Sequence, residues 1–416
     1  MKLGIPKDIT ALKQHLKTPL YKNSVFIMLT SVTGAEFGFV FWLLAAKLYQ
    51  PEDVGFGTAL ISSMALLVLL TRFGLDFSII RFFPGNDKSR VFSTAALITS
   101  FFALLFGLVF ILGIDLFSPE LHLLRVPRNA LLFLVFLTAS SVAALTGISF
   151  VAVRRAEFYF LQSILVGFRV LFIIPLVFLG ALGIFGAVGI SFILAILVSL
   201  VLLTKLGIRP AFKIDTRFLQ NAFRFSAGNY LAGLFITAPN SIVPLMVLNL
   251  IGAEETAYYY IAFAIASLLF MIPGAVSTSL FVEGSHGEAL KRTTLKALRA
   301  IFSLLIPSML FLFFAKWSRT VLIGADYSAH GLELLRIMVL ASLFVAVTSI
   351  YYSINRIQKD VKRLVALSGL IFALLIGLSY LFMLHAGIIG VGYAWLASYG
   401  IGAVLVGLLV KREGWL

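Results

Sequence analysis

The chain contains no cysteine, which excludes disulfides and thiolate metal ligands and leaves the compartment open. Charge is scarce. Asp, Glu, Lys and Arg make up 12% of the 416 residues, where a soluble domain carries about 25%. The five histidines (His15, His122, His286, His330 and His385) fall in loops or at the ends of apolar runs, with no two at metal-ligand spacing. There is no Asp-x-Asp pair, and no connecting loop is long enough to build an active site or a soluble domain. These absences exclude a soluble fold and leave no catalytic constellation. No enzyme activity, metal or cofactor is expected.

What remains is apolar. Hydrophobic residues form 61% of the sequence, with 40 Phe. About 20 apolar residues span a bilayer, and twelve runs of suitable length can be placed, near residues 22–46, 54–80, 91–113, 129–152, 158–180, 184–205, 222–250, 256–282, 295–315, 333–354, 364–384 and 388–410. The sequence therefore predicts an all-α polytopic membrane protein of twelve transmembrane helices, here called spans 1 to 12. The net charge of +15 reads as a topological signal rather than as affinity for nucleic acid. With the N-terminus on the cytoplasmic side, 25 of the 33 Lys and Arg are counted with cytoplasmic segments, six (Lys47, Arg125, Arg128, Lys316, Arg319 and Arg336) with outer loops, and two, Arg72 and Arg169, in the interior of spans. That asymmetry obeys the positive-inside rule and places both termini in the cytoplasm of a multi-pass plasma-membrane protein. Residues 1–21 lack the core of a signal peptide. Ile5, Ile9, Leu12 and Leu16 share one helical face, as in a short amphipathic segment on the membrane surface.

The chain also repeats itself. Glu52-Asp53 after span 1 matches Glu254-Glu255 after span 7 at an offset of 202, and Arg154 matches Arg356 at the same offset. Gly183-Ile-Phe-Gly186 matches Gly387-Ile-Ile-Gly390 at 204. Three ordered matches predict two pseudo-symmetric six-helix bundles, residues 22–205 and 222–410. A cytoplasmic connector, 206–221, joins them, and 411–416 form a cytoplasmic tail. Six is even, so the repeat is parallel, with a binding site expected between the halves.

Several motifs resemble those of the polysaccharide-transport, Wzx-type oligosaccharide-lipid flippases of the multidrug/oligosaccharidyl-lipid/polysaccharide exporter superfamily. They are Pro51-Glu52-Asp53-Val54-Gly55, Gly74-Leu75-Asp76, Ile80-Arg81-Phe82, Gly228-Asn229-Tyr230, Pro239 with Pro244, and Gly252-Ala-Glu-Glu-Thr-Ala-Tyr258-Tyr259. The resemblance covers essentially the whole chain. It implies a V-shaped alternating-access transporter moving a polyprenyl phosphate- or diphosphate-linked glycan, acting as a monomer. Peptidoglycan-precursor flippases usually show fourteen spans, so twelve speaks against that branch. A cation-coupled drug exporter of the same superfamily and a non-transporting scaffold of a glycan-synthesis complex are the rival readings.

Charges at a helix centre cost about 2.5–3.5 kcal/mol each on insertion scales, and they mark pathways or partners. Those within spans are Glu36, Arg72, Asp76 and Arg169. Arg72 and Asp76 sit four apart on what reads as one continuous helix and can pair. Arg72 and Arg169 are candidate ligands for the lipid phosphate, because a guanidinium offers phosphate a planar fork at any working pH. Arg81 and Arg224, at the inner mouth, are candidate entry ligands, for which the bland reading is an interface anchor. Asn229 and Asn240, eleven apart on span 7, are candidate polar contacts on one face. Glu36 and Asp76 are candidate sites for a proton or Na⁺ counter-ion, and Glu36 is the expected partner of Arg169. Pro239, Pro244 and Pro273 are expected to interrupt spans 7 and 8. Tyr258-Tyr259-Tyr260 reads as an interfacial belt, and Gly34 with Gly38 as a close-packing motif.

Overall fold

A computed structural model describes residues 19–212, 214–285, 290–314 and 325–412. The N-terminal segment up to residue 18 and the tail from residue 413 lie outside them, as do the side chains of residues 19–21, 224, 225, 282–285 and 325. Among the described residues there is no strand, and the chain is all-α with twelve spans in two six-helix bundles. In the first bundle span 1 is Pro19–Leu48, span 2 is Pro51–Thr71 with Leu75–Phe82, and span 3 is Lys88–Leu112. Span 4 is Pro127–Ala152, span 5 is Ala156–Gly167 with Arg169–Phe172 and Val177–Leu179, and span 6 is Ala181–Lys205. In the second, span 7 is Thr216–Thr237 with Pro239–Leu250, span 8 Ala253–Ser285, span 9 Leu290–Phe314 and span 10 Ala325–Ile357. Spans 11 and 12 share the stretch Val361–Arg412, which turns at Ala386 and Gly387.

Local chemistry sets the starts. Prolines open spans 2 and 4, where a missing N–H costs nothing. Asp87, Asp215 and Asp360 cap spans 3, 7 and 11, accepting from the N–H groups of Ser89 (2.9 Å), Phe218 (2.9 Å) and Arg363 (3.1 Å). All three caps lie on the face where odd-numbered spans begin, called here the basic face. The opposite face carries the acidic turns. Span 7 starts at Thr216, inside the stretch expected to be connector, because Asp215 caps it there.

Two spans expected to be continuous are broken. Span 2 stops at Thr71 and restarts at Leu75, with Phe73 (φ 47°) and Gly74 (φ 75°) left-handed between. Span 5 breaks at Phe168 and again across residues 173–176. Pro175 accounts for the second break, since it lacks an N–H and crowds the preceding turn. The Ile173 carbonyl left without a helical donor accepts from the Tyr49 hydroxyl at 2.7 Å. Span 7 bends by 41° between Thr237 and Pro239, as expected of Pro239, whereas the helix runs unbroken through Pro244. Span 8 does not break: its helix runs through Pro273.

The repeat is visible in backbone conformation, but its register differs from the sequence match. Gly180 (φ 57°, ψ −135°) before span 6 has its counterpart in Gly387 (φ 55°, ψ −142°) before span 12. Three residues on, a Cβ at Gly183 would stand 2.1 Å from the Leu176 carbonyl oxygen, and one at Gly390 2.3 Å from that of Phe382. The offset is therefore 207, not 204. Likewise Arg154 (φ 60°) corresponds to Lys359 (φ 59°) rather than to Arg356. Both turns close with the same pair of backbone bonds, Arg154 to Val151 and Arg155 to Phe150, Lys359 to Arg356 and Asp360 to Asn355. The match of Pro51 with Ala253 as helix starts keeps the offset of 202.

The halves meet along span 2, which packs on spans 7 and 8. On the acidic-turn face Gly55 lies against the backbone of Ala253. There the Asn249 amide donates to Ser118 Oγ at 2.8 Å and accepts from the Glu120 N–H at 3.2 Å. On the basic face Ser78 Oγ and Ser226 Oγ are 2.7 Å apart.

Candidate functional site

Arg169 opens the four-residue helix between the two breaks of span 5. Its side chain lines a cavity of about 260 Å³ enclosed by spans 1, 2, 5, 6 and 8, and so by both halves. Span 1 contributes Gly38, Phe41 and Trp42, span 2 Ile61, span 6 Val188, and span 8 Tyr260, Phe263, Ser267 and Met271. Arg169 is the one charged residue among those lining it. Its guanidinium lies 5.3 Å from the centre of the Phe41 ring, an attraction worth roughly 0.5–2 kcal/mol depending on desolvation. Its Nε is buried and has no hydrogen-bond partner. The tilted rings of Trp42 and Tyr260, 4.5 Å apart, close the seam between the halves beside it.

The expected Glu36–Arg169 pair is not formed. Among the described residues Glu36 has no ion pair, and its side chain is exposed. The reason is helical phase. Gly38 faces Arg169, with a Cβ there standing 3.3 Å from Nη2, and Glu36 lies two residues, roughly 200°, around the helix. Gly34 and Gly38 do allow close packing on span 5, against Ser163 and Arg169.

Arg72 and Asp76 form a separate site at the break in span 2. Arg72 Nη1 and Asp76 Oδ2 are 3.6 Å apart, with side chains 25% and 20% exposed. The pair bridges the break instead of lying on one helix. Arg72 Nε and Asp76 Oδ1 are buried without partners. Span 7 seals the break: the Tyr230 hydroxyl donates to the Leu70 carbonyl at 3.0 Å. A Cβ on Gly74 would stand 2.7 Å from that of Ser226. Ile61, where span 2 meets the Arg169 cavity, is eleven residues or roughly 16 Å from Arg72, so the two arginines occupy two sites.

A family model described as polysaccharide biosynthesis protein matches residues 20–282. The chain belongs to this family. No curated protein matches it in sequence. Its fold is similar to that of a lipid II flippase, MurJ, in an inward closed conformation, with 17% identity, 93% of this chain and 87% of that one covered, and a TM-score of 0.77. It is also similar to an inward-facing multidrug resistance MATE family transporter of the MOP superfamily (15% identity, 94% and 98% covered, TM-score 0.65). The MATE multidrug transporter DinF-BH is a third (14% identity, 95% of each chain, TM-score 0.66). At such identities the likeness establishes the fold alone.

The remaining candidates scatter. Arg81 is exposed in the last turn of span 2, and the Arg224 side chain lies outside the described residues. Asn229 is half-buried and Asn240 exposed. The bend between them removes the shared face expected of a straight helix. Arg336, expected in an outer loop, sits eleven residues into span 10 with its guanidinium 5.3 Å from the centre of the Phe313 ring. The tyrosine run is no interfacial belt. Tyr259 is fully buried, the Tyr258 hydroxyl lies within hydrogen-bond distance of both the Glu254 (2.7 Å) and the Asp326 (2.8 Å) carboxylates, and Tyr260 lines the cavity. Sequence reasoning missed Asp53 as a structural link: its carboxylate accepts from the Ala181 N–H at 3.0 Å and caps span 6. The cavity aromatics Phe41 and Trp42 were also missed, for they read as ordinary span residues.

Proposed function

We propose that the protein is a flippase that moves a polyprenyl phosphate- or diphosphate-linked oligosaccharide across the plasma membrane by ion-coupled alternating access, with Arg169 as the ligand of the phosphate. The observation that carries this reading is a half-buried arginine whose Nε is buried without a hydrogen-bond partner and which has no carboxylate partner among the described residues, in a cavity lined by both halves. A phosphate is the natural occupant, since it accepts the parallel N–H bonds a guanidinium offers. The rings of Trp42 and Tyr260 give the adjoining sugar an apolar face on which to lie. Membership of a polysaccharide biosynthesis family agrees with a glycan cargo. A cationic drug would meet repulsion in this cavity, and a scaffold would have no use for its charge.

In this proposal Arg72, Asn229 and Asn240 contact cargo during transit and Arg81 and Arg224 receive it at the basic face. Glu36 and Asp76 are the counter-ion sites, for a proton or Na⁺. Both termini face the cytoplasm and a single chain suffices. Engineered cysteines at residues 52 and 213 should be labelled from opposite sides of the membrane; labelling from one side overturns the topology. Function is tested in liposomes bearing fluorescent lipid-linked oligosaccharide. Leaflet exchange that rises with an imposed ion gradient is the expected result. Export of cationic dye with no lipid exchange overturns the proposal in favour of drug transport.

A further inference from the structure

The connector between the halves is an ordered strap. Backbone N–H groups of Arg209, Ala211 and Asp215 donate to the hydroxyls of Ser89 (3.1 Å), Ser93 (2.9 Å) and Thr94 (2.9 Å) in the first turns of span 3. Ile208 is buried among Phe92, Leu203 and Phe218. The strap is thus fixed on both its polar and its apolar side, and its height is defined. Ser93 and Thr94 lie five and six residues past Lys88, the first residue of span 3, or roughly 7.5–9 Å along the axis. Apolar side chains of interfacial segments reach about 5–10 Å into the headgroup and acyl boundary, a distance comparable to the strap's height along span 3.

Its outward side chains fit that layer. Phe212 is 95% exposed and Ile214 58% exposed, although the backbone on either side of them is held. The exposed bases Lys205, Arg209 and Arg217 lie on the strap and on the ends of the spans it joins, and Arg90, paired with Asp87 at 3.4 Å, lies in the first turn of span 3 that the strap packs on. An exposed aromatic on a strap carrying bases matches an anionic lipid surface, which takes the ring into its acyl boundary and the cations at its phosphates. We infer that residues 209–212 and 214–217 form an interfacial anchor. Phe212 and Ile214 insert into the leaflet on the basic face, and the surrounding Lys and Arg bind anionic lipid headgroups. The anchor would tie the junction of the two halves to the membrane surface, independently of what the protein carries.

The test uses the full-length chain, whose lack of cysteine makes single labels clean. Phe212→Cys and, as a control in the exposed turn between spans 2 and 3, Pro84→Cys are each labelled with an environment-sensitive fluorophore. Both are reconstituted in phosphatidylcholine vesicles with and without phosphatidylglycerol. The expected result is strong quenching at position 212 by brominated acyl chains, deepened by phosphatidylglycerol, and weak quenching at position 84. Arg209→Gln with Arg217→Gln should remove the phosphatidylglycerol-dependent part. A label at 212 that aqueous iodide quenches as readily as one at 84 overturns the inference and points to a protein partner or to water. Quenching by brominated chains that phosphatidylglycerol leaves unchanged overturns the headgroup assignment. Neither readout depends on transport.

Discussion

Gly38 on span 1 gives Arg169 on span 5 its place: a Cβ at position 38 would stand 3.3 Å from the guanidinium Nη2. This contact holds the charge over Phe41 and toward the cavity between the halves. Gly38→Ala should fold normally, because the far end of an arginine can shift by a few tenths of an ångström, and should slow leaflet exchange several-fold. Gly38→Val should abolish exchange while the melting temperature changes by only a few degrees. Parallel transport and thermal-unfolding measurements check this.

Arg72 and Asp76 bridge the break in span 2. Removing one partner leaves a poorly solvated charge, so Arg72→Gln or Asp76→Asn should each destabilise by about 1–3 kcal/mol. The double neutralisation should recover stability but not transport, if Arg72 also meets cargo. Denaturation of the two single variants and the double variant, paired with exchange assays, gives the answer; an active double variant confines the pair to a structural role.

Tyr230 joins the halves at the same break through the Leu70 carbonyl. Tyr230→Phe should cost about 0.5–1.5 kcal/mol of that contact and favour separation of span 2 from span 7 on the basic face. Accessibility of a cysteine at Ser226 should rise in this variant relative to the same cysteine with Tyr230 intact.

Glu157, the second residue of span 5, takes Lys22 (3.1 Å) and Arg155 (2.6 Å) as partners. Both cations are largely solvent-accessible, so Glu157→Gln should cost only about 0.2–1 kcal/mol, read as a small fall in melting temperature that shrinks at high salt.

Much of this fold is legible in the sequence. Bilayer thickness forces each crossing to be a long apolar run. The breaks are harder to read. Pro175 signals one, but at Arg72-Phe73-Gly74 an apolar helix stops because Ser226 and Tyr230 of the other half occupy the space, a tertiary effect. Helical phase explains the failed pairing of Glu36 with Arg169: depth in the membrane can be counted along a chain, whereas the facing residue depends on how spans 1 and 5 rotate against each other. Arg336 stands at the edge of the run 333–354 and reads with the loop before it, whereas the helix starts earlier still, at Ala325. The repeat was found at nearly the right register, and left-handed turns at Arg154, Lys359, Gly180 and Gly387 were needed to correct it.

The central claim is that Arg169 binds the phosphate of a lipid-linked glycan. Its most direct measurement is leaflet exchange of fluorescent lipid-linked oligosaccharide by purified Arg169→Leu and Arg169→Lys variants in liposomes, each first shown to unfold at about the temperature of the unaltered protein. The account predicts no exchange for Arg169→Leu and strongly reduced exchange for Arg169→Lys, which keeps the charge and loses the fork. Exchange at the normal rate by a folded Arg169→Leu would contradict it.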